Sequence, residues 1–393
     1  MTIDTALDLI EEGAAAVRLG ARTPQPARRE TFDVIVIGGG QAGLSAGYHL
    51  ARAGLKFVIL DAHARVGDSW RQRWDSLRLF TPAKYDGLDG MRFPAPRNSF
   101  PTKDEMADYL ETYARRFALP IRTNAPVEHL EKGGDRYVVT ARGRELEAPQ
   151  VIVAMAKYQR GNVPDFATRL SRDIVQLHSM DYRGPRQLKP GGVLLVGAGN
   201  SGADIALETA RAGHKTWLAG RSVGQVPFRP EGFWGRNLFG PLLIGFLFKY
   251  VLTVRSPFGR KGRAERLEKG APLIRVKSVD LAAAGIERVA RVTGVESGLP
   301  RLANGRVVQA ANVIWCTGFA SGFEWIDLPI FDSHGHVVHR SGVVESEPGL
   351  YFLGLPFLHS FSSSMVHGVG RDAARIVRVI RSRARARNAE ITR

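Results

Sequence analysis

Two stretches of the chain repeat the spacing G-x-G-x-x-G, which is typical of loops that hold the pyrophosphate of a dinucleotide. In such a loop the first glycine permits a tight turn, the second lets the backbone approach the phosphates, and the third lets helix and strand pack closely. The helix that follows directs its positive N-terminal dipole at the phosphates. The predicted contacts are Gly38, Gly40, Gln41, Ala42 and Gly43 in the first site, and Gly197, Gly199, Asn200, Ser201 and Gly202 in the second.

The residues that follow each loop by about 20 positions predict two different dinucleotides. Asp61 ends the apolar run 57–60, where a carboxylate accepts hydrogen bonds from a ribose and repels a 2′-phosphate. Arg221 and Ser222 take the equivalent place in the second copy and suit a 2′-phosphate through charge-assisted hydrogen bonds. The first site is therefore predicted to take FAD, and the second to prefer NADPH to NADH. The alternative for Arg221 is an ordinary surface arginine.

Both loops lie in the same order of elements, namely a strand, a glycine turn, a helix and a second strand. The runs 34–37 and 193–196 are apolar throughout, as in strands that are buried on both faces. Between the two copies, Thr102 and Glu105 form a capping box at the start of a predicted helix. The sequence therefore predicts an α/β fold with two dinucleotide-binding Rossmann-like domains, each a central parallel sheet with helices on both faces.

The single cysteine, Cys316, limits the chemistry that two such sites can support. It excludes a disulfide scaffold, a zinc site built from cysteines and any enzyme that passes electrons through a cysteine pair. Iron–sulfur routes are excluded because they need several cysteines. If hydride passes from a nicotinamide to a flavin, oxygen is the acceptor that needs no further protein cofactor. His334, His336 and His339 are interpreted as a hairpin turn rather than a metal site, so no metal is predicted.

The chain carries 55 basic and 38 acidic residues, a net charge of +17. Either an anionic partner or a solvated basic surface accounts for this excess. No basic pattern with interleaved aromatic residues is present, so no nucleic-acid partner is predicted. The longest apolar stretch, 238–254, is interrupted by Lys249 and is too short to span a bilayer. The segment 232–254 that contains it is predicted to be a substrate lid, and peripheral membrane contact stays open. The N-terminus lacks a targeting pattern, which predicts that the protein is located in the cytoplasm. The sequence gives no prediction of the oligomeric state.

Several longer motifs occur in order along the chain. They are Gly67-Asp68-Ser69-Trp70, Trp74-Asp75-Ser76-Leu77-Arg78-Leu79, Phe93-Pro94, Pro101-Thr102-Lys103, Gly220-Arg221-Ser222, Cys316-Thr317-Gly318-Phe319 and Pro348-Gly349-Leu350-Tyr351-Phe352. With the two glycine loops, they make the sequence resemble the flavin-containing monooxygenases, the class B flavoprotein monooxygenases. The resemblance is strongest to the YUCCA-type branch and to bacterial NAD(P)/FAD-dependent oxidoreductases.

The resemblance implies an FAD-binding domain with an NADPH-binding domain inserted in it. The predicted boundaries are 1–30 for an N-terminal appendage, 31–156 and 311–385 for the FAD domain, 157–310 for the NADPH domain with its lid over 232–254, and 386–393 for a basic tail.

The resemblance also implies the reaction. NADPH would reduce FAD, O2 would add at flavin C4a, and the resulting (hydro)peroxyflavin would insert one oxygen atom into a small organic substrate. The flavin is then the catalytic unit and no protein nucleophile is predicted. By similarity, Gly67, Ser69 and Trp70 line the FAD, Val127 lies near its adenine, Gly318 lies at the return crossing into the FAD domain, and Gly370 belongs to the segment that opens the last helix.

The sequence departs from the family pattern where the oxygen adduct would be stabilised. The segment 78–82 lacks the asparagine that animal-type members carry there, and the family fingerprint is reduced to His178 and Tyr182. Two alternatives therefore stay open. One is an NADPH-dependent reductase that passes electrons to a quinone or a partner protein. The other is a basic redox-sensing flavoprotein that binds a membrane or nucleic acid.

Overall fold

The structure is a computed structural model that describes residues 29–156, 158–260 and 271–391. The predicted appendage over 1–30 and the last two residues of the predicted basic tail lie almost wholly outside these ranges. The strands of the described residues are β1 Glu30–Thr31, β2 Val34–Ile37, β3 Phe57–Leu60, β4 Ile121–Arg122, β5 Val127–Gly133, β6 Arg136–Ala141, β7 Arg144–Ala148, β8 Val151–Val153, β9 Arg160–Gly161, β10 Val175–His178, β11 Val193–Val196, β12 Thr216–Ala219, β13 Glu287–Val289, β14 Val292–Glu296, β15 Leu299–Leu302, β16 Asn312–Trp315, β17 Phe319–Ala320 and β18 Leu350–Phe352.

The helices connect and cover these strands. The α-helices are α1 Gln41–Arg52, α2 Asp68–Arg71, α3 Lys103–Arg116, α4 Asn200–Arg211, α5 Ser278–Ala283 and α6 Val366–Ile391. Shorter 3-10 turns are formed by Ala83–Tyr85, Asp165–Arg169, Pro185–Gln187 and Phe361–Ser364, and π-helical turns by Gly235–Phe239 and Pro241–Val251.

A five-stranded parallel sheet in the order β18-β8-β2-β3-β4 forms the first half of the molecule. Every residue of β2 and β3 is buried, as the apolar runs predict. Helices α1 and α6 pack against each other beside this sheet. The predicted capping box is present at α3, where Thr102 accepts the N–H of Glu105 and the Glu105 carboxylate accepts the N–H of Thr102. The antiparallel strands β5, β6 and β7 form a separate sheet, with the short β1 added in parallel to β7.

A second five-stranded parallel sheet has the order β10-β16-β11-β12-β13, and β11, α4 and β12 repeat the arrangement of β2, α1 and β3. The predicted α/β fold with two parallel sheets is therefore confirmed. Strand β16 pairs with β11, with Asn312 opposite Val193. The predicted return to the FAD domain at residue 311 is consequently wrong, because residues 312–315 still belong to the second sheet. The other predicted domain boundaries stay predictions.

The last helix, α6, is longer than the sequence predicts. It begins at Val366 and continues to Ile391, whereas the sequence predicts a helix from about 371 to 381 that is opened by the segment 368–372. The part of the predicted basic tail that the structure describes, 386–391, is therefore the end of this helix, and the boundary at 386 stays a prediction. None of the described helices combines the length and the apolar character that crossing a bilayer requires.

Candidate functional site

The first glycine loop joins β2 to α1 and leaves the start of that helix open. Gly38 adopts a φ of +109°, and its N–H donates to the carbonyl of Leu60 at 2.7 Å. No side chain caps α1, whose N-cap is Gly40. A Cβ on Gly40 would meet no described heavy atom within 4 Å. The first N–H groups of α1 therefore face open space, as the pyrophosphate of a dinucleotide requires.

Asp61 holds this loop in place from the end of β3. Its Oδ2 accepts the backbone N–H of Gly39 at 2.6 Å. Its Oδ1 accepts the backbone N–H of His63 at 2.7 Å and lies 2.8 Å from the His63 ring Nδ1, and this hydrogen bond raises the pKa of His63. The sequence does not predict this positioning role. One lone pair on Oδ2 is left over, so the predicted hydrogen bond to a ribose stays a prediction.

A cavity of about 380 Å³ opens beside the end of β3. Its walls include Leu60, the segment 122–125 and Arg142. Val127, which the resemblance places near the adenine, is not among the residues that line it; it lies two residues beyond this segment and is half-buried in β5. The segment 122–125 therefore lines the cavity next to the first glycine loop. The contact of Val127 with the adenine stays a prediction.

Helix α2 lies beside the first loop. Trp70 Nε1 donates to Gln41 Oε1 at 3.3 Å, and the carbonyl of Ser69 accepts Arg73 Nε at 3.2 Å. Gly67 has a φ of +90°, and a Cβ there would lie 2.6 Å from the carbonyl oxygen of Ala107. Gly67 is thus needed for the packing of α2 on α3. The FAD contacts of Gly67, Ser69 and Trp70 stay predictions.

Gly370 lies more than a turn inside α6 rather than at its N-terminus. A Cβ at Gly370 would lie 2.6 Å from Asp89 Oδ2, so close packing explains this glycine. The predicted contact of Gly370 with FAD stays a prediction.

The second glycine loop repeats the first in detail. Gly197 has a φ of +116°, Gly199 is the N-cap of α4 without a side-chain cap, and a Cβ on Gly199 would meet no described heavy atom within 4 Å. A Cβ on Gly202 would lie 1.8 Å from the carbonyl oxygen of Gly197. Ser201, in the first turn of α4, is half-buried. The loop therefore has the open backbone that a second dinucleotide needs.

This loop forms one wall of a cleft of about 1020 Å³. Arg221 and Ser222 line it, as the phosphate assignment predicts, and both residues are exposed. Arg291, which the sequence does not single out, lines the same cleft and adds a second guanidinium. Its position just before β14 gives no local signal, because only the fold brings residues 221 and 291 together.

Asn200 lines the cleft, but its side chain is already occupied. Its Nδ2 donates to the carbonyl of Pro272 at 2.9 Å, and its Oδ1 accepts the N–H of Ile274 at 2.9 Å. Asn200 thus anchors the segment 272–274 to the start of α4. The amide therefore serves to position this segment, while the predicted contact of Asn200 with NADPH stays a prediction that its backbone N–H can still meet.

His178 fixes the crossing at the far end of this cleft. Its Nδ1 accepts the N–H of Met180 at 3.1 Å, so the proton lies on Nε2, which donates to the carbonyl of Gly318 at 3.0 Å. Burial lowers the pKa of His178 and favours this neutral form. Gly318, with a φ of +89°, lines this same cleft. The structure therefore places Gly318 in the wall of the predicted NADPH site, and its predicted contact with FAD stays a prediction.

The segment 232–254, predicted as a lid, crosses from the second half of the molecule to the first. The N–H of Val254 donates to the carbonyl of His359 at 2.9 Å, and the N–H of Phe361 donates to the carbonyl of Leu252 at 2.9 Å. Its large apolar side chains are unusually exposed. They include Phe233 at 71%, Trp234 at 63%, Leu242 at 52%, Phe246 at 54% and Tyr250 at 62%.

Comparison with known proteins places these features in a family. A family model described as pyridine nucleotide-disulphide oxidoreductase matches residues 35–227. The chain is 37% identical to an uncharacterized CzcO-like oxidoreductase of Geobacillus kaustophilus, over 88% of this chain and 97% of that one. It is 26% identical to the indole-3-pyruvate monooxygenase YUCCA1 of Oryza sativa subsp. japonica, over 93% of this chain and 96% of that one.

A solved structure agrees with these relatives. The flavin-containing monooxygenase of Stenotrophomonas maltophilia is 30% identical and has a TM-score of 0.69, with 90% of this chain and 99% of that chain covered. The predicted cofactors, FAD and NADPH, and the predicted class of enzyme, a flavin-dependent monooxygenase, are confirmed by these similarities. The chain belongs to the flavin monooxygenase family, among YUCCA-type and bacterial oxidoreductase relatives.

Proposed function

We propose that this monooxygenase inserts one oxygen atom from O2 into a small organic substrate that enters beneath the segment 232–254. The observation that supports the proposal is the extent of the cleft beside the second glycine loop, which we call the second cleft. Its wall includes both Gly199 of the second glycine loop and Pro356, which follows the last strand of the first sheet. A reductant bound along this cleft would reach the half of the molecule that contains the first loop.

The residues of the chain would act by binding and orienting the two cofactors. The open starts of α1 and α4 would hold the pyrophosphates, and Asp61 would keep the first loop in the shape that admits FAD. Arg221 and Arg291 would bind the 2′-phosphate and neighbouring phosphates of NADPH. When bound, FAD supplies the redox chemistry and the reaction with oxygen.

His178 would keep the crossing at Gly318 rigid, so that a nicotinamide bound there keeps a fixed position. The apolar segment 232–254 would exclude water from the reacting centre, which favours transfer of oxygen over release of hydrogen peroxide. The cytoplasmic location of the protein and its lack of a nucleic-acid partner stay predictions.

The experiment that tests this function counts products for each NADPH consumed. Purified FAD-loaded enzyme is incubated with NADPH, 18O2 and a panel of aromatic acids, ketones, amines and sulfides. We expect one labelled oxygen atom in an organic product and a matching decrease in hydrogen peroxide. If every substrate leaves all electrons in hydrogen peroxide, or in an added quinone, the enzyme is a reductase and the proposal is wrong.

Replacing Arg221 by alanine tests the assignment of the second cleft to NADPH. The KM for NADPH should rise by about 10-fold or more, because a charge-assisted hydrogen bond to phosphate contributes roughly 1.5–3 kcal/mol. The KM for NADH should change little, since NADH has no 2′-phosphate. The matched control is Arg211→Ala, at the exposed end of α4. Equal losses with both nucleotides would contradict the assignment.

A further inference from the structure

A cluster of polar groups lies where the segment 232–254 meets the start of α6. We name it the Lys249 cluster; it consists of Lys249, His367 and Arg371. The guanidinium of Arg371 donates from Nη1 to the backbone carbonyl of Lys249 at 3.1 Å, which ties α6 to this segment. It also lies 5.3 Å from the centre of the Tyr250 ring.

The two cations of this cluster have no carboxylate bonded to them among the described residues. Arg371 Nη2 donates to the hydroxyls of Ser360 at 3.4 Å and Ser362 at 3.1 Å, and its Nε is buried without a hydrogen-bond partner. Burial and the neighbouring Arg371 lower the pKa of Lys249. Both residues are half-buried, so each charge is partly removed from water without a bonded anion to offset the loss of hydration.

Two carboxylates next to the cluster, Asp89 and Asp372, each bond another group. Asp89, which acts on Lys249 through its charge, lies 2.8 Å from His49 Nε2. Asp372, the neighbour of Arg371 in sequence, lies 3.0 Å from Arg375. Among the described residues, then, no carboxylate forms an ion pair with Lys249 or Arg371, and Asp89 acts on Lys249 only from a distance.

His367 gives independent evidence for a bound molecule at this place. Both of its ring nitrogens are buried and neither has a hydrogen-bond partner in the described residues. Burial, together with Lys249 and Arg371, lowers the pKa of His367 to about 3, so the ring is neutral and offers one donor and one acceptor. Buried polar atoms of this kind are normally satisfied, so an external group is the natural partner.

The surroundings of the cluster are aromatic. The ring of Tyr85 lies 6.2 Å from that of His367, and Phe248 packs on Phe361 with 4.3 Å between ring centres. The segment 232–254 passes close to Tyr85, since a Cβ on Gly245 would lie 3.9 Å from its hydroxyl oxygen. An anion with an apolar or aromatic body would match both the charge and these rings.

We propose that the Lys249 cluster is an anion subsite that receives the carboxylate of an organic acid substrate, with Lys249 Nζ, Arg371 Nε and the His367 ring as its partners. This inference rests on the proposed function and narrows its substrate to carboxylic acids. It adds no covalent step to the reaction.

Direct binding to the FAD-loaded enzyme tests the subsite without relying on oxygenation. The probes are phenylacetate and its uncharged isostere phenylacetamide, each titrated calorimetrically without NADPH. We expect phenylacetate to bind at least 10-fold more tightly than phenylacetamide. Lys249→Met and Arg371→Met should each weaken phenylacetate at least 10-fold and leave phenylacetamide nearly unchanged, whereas Lys249→Arg should restore most of the preference.

Arg378→Met is the matched control, because Arg378 lies seven positions further along α6 and is exposed; it should bind both probes as the parent does. FAD content is measured for every variant from its absorbance. Equal affinity of the parent enzyme for the two probes would overturn the proposal. So would variants that lose FAD instead of phenylacetate, because the cations would then serve the cofactor. If the enzyme prefers the carboxylate but releases only hydrogen peroxide, the anion subsite is supported and the proposed oxygen transfer is refuted.

Discussion

A Gly43→Ala variant is expected to lose its FAD and much of its stability, because the new methyl group would clash with the backbone of the glycine loop. The Cβ would lie 1.8 Å from the carbonyl oxygen of Gly38 and 3.0 Å from its carbonyl carbon. Both are backbone atoms of the loop, so α1 must move away from the end of β2. We expect a cost of about 3 kcal/mol or more, at or above the upper end of ordinary overpacking.

Gly40→Ala is the matched control for this prediction. Gly40 has a φ of −78°, and its Cβ would meet no described heavy atom within 4 Å. This variant should fold normally and yet bind FAD more weakly, because its methyl group points into the space that the pyrophosphate needs. Circular dichroism, thermal unfolding and flavin absorbance after gel filtration separate the two outcomes. Parent-like stability and FAD content in Gly43→Ala would contradict the predicted role of this loop.

Asp86→Asn is expected to make the enzyme more stable at alkaline pH. Asp86 is fully buried, burial raises its pKa to about 8, and its Oδ1 accepts the hydroxyl of Thr81. Between a pKa of about 4 in the unfolded chain and about 8 in the folded one, folding binds a proton. Stability should therefore fall as pH rises through this range, by about 1.4 kcal/mol per pH unit from this group, and the loss should end above pH 8.

Asparagine cannot ionise and keeps an oxygen for Thr81, so the variant should lose this pH dependence. Urea unfolding of parent and variant at saturating FAD, from pH 5 to pH 9, measures the two slopes. Asp135→Asn, at the exposed tip between β5 and β6, is the control and should keep the parental slope. Parallel slopes for parent and Asp86→Asn would show that Asp86 is already ionised at neutral pH.

Local sequence signals predicted the parts of the fold that depend on neighbouring residues. The two glycine loops, their strands and the capping box at Thr102 each need only a few consecutive positions, and all are present. Glycine spacing also predicted the close approach of Gly202 to Gly197, because the turn and the first helical turn are one local unit. These features carry most of the family resemblance.

Features that depend on distant residues could not be predicted in the same way. The buried run 312–315 suits either parallel sheet, and only its pairing with β11 decides between them. The amide of Asn200 is occupied by a segment more than 70 positions away. Arg291 and the Lys249 cluster carry no local pattern, because their neighbours come from other parts of the chain.

The surroundings of Cys316 have a consequence for how long the enzyme survives its own reaction. When a flavoprotein releases hydrogen peroxide, nearby cysteine thiolates are among the first groups to be oxidised, because the thiolate is the reactive form of cysteine. Cys316 is half-buried in the wall of the cleft beside the second glycine loop, where desolvation raises the pKa of its thiol to about 12, and the sequence contains no second cysteine. The protein therefore withholds a thiolate from the oxidant, and repeated wasteful cycles should leave it free of sulfenic acid.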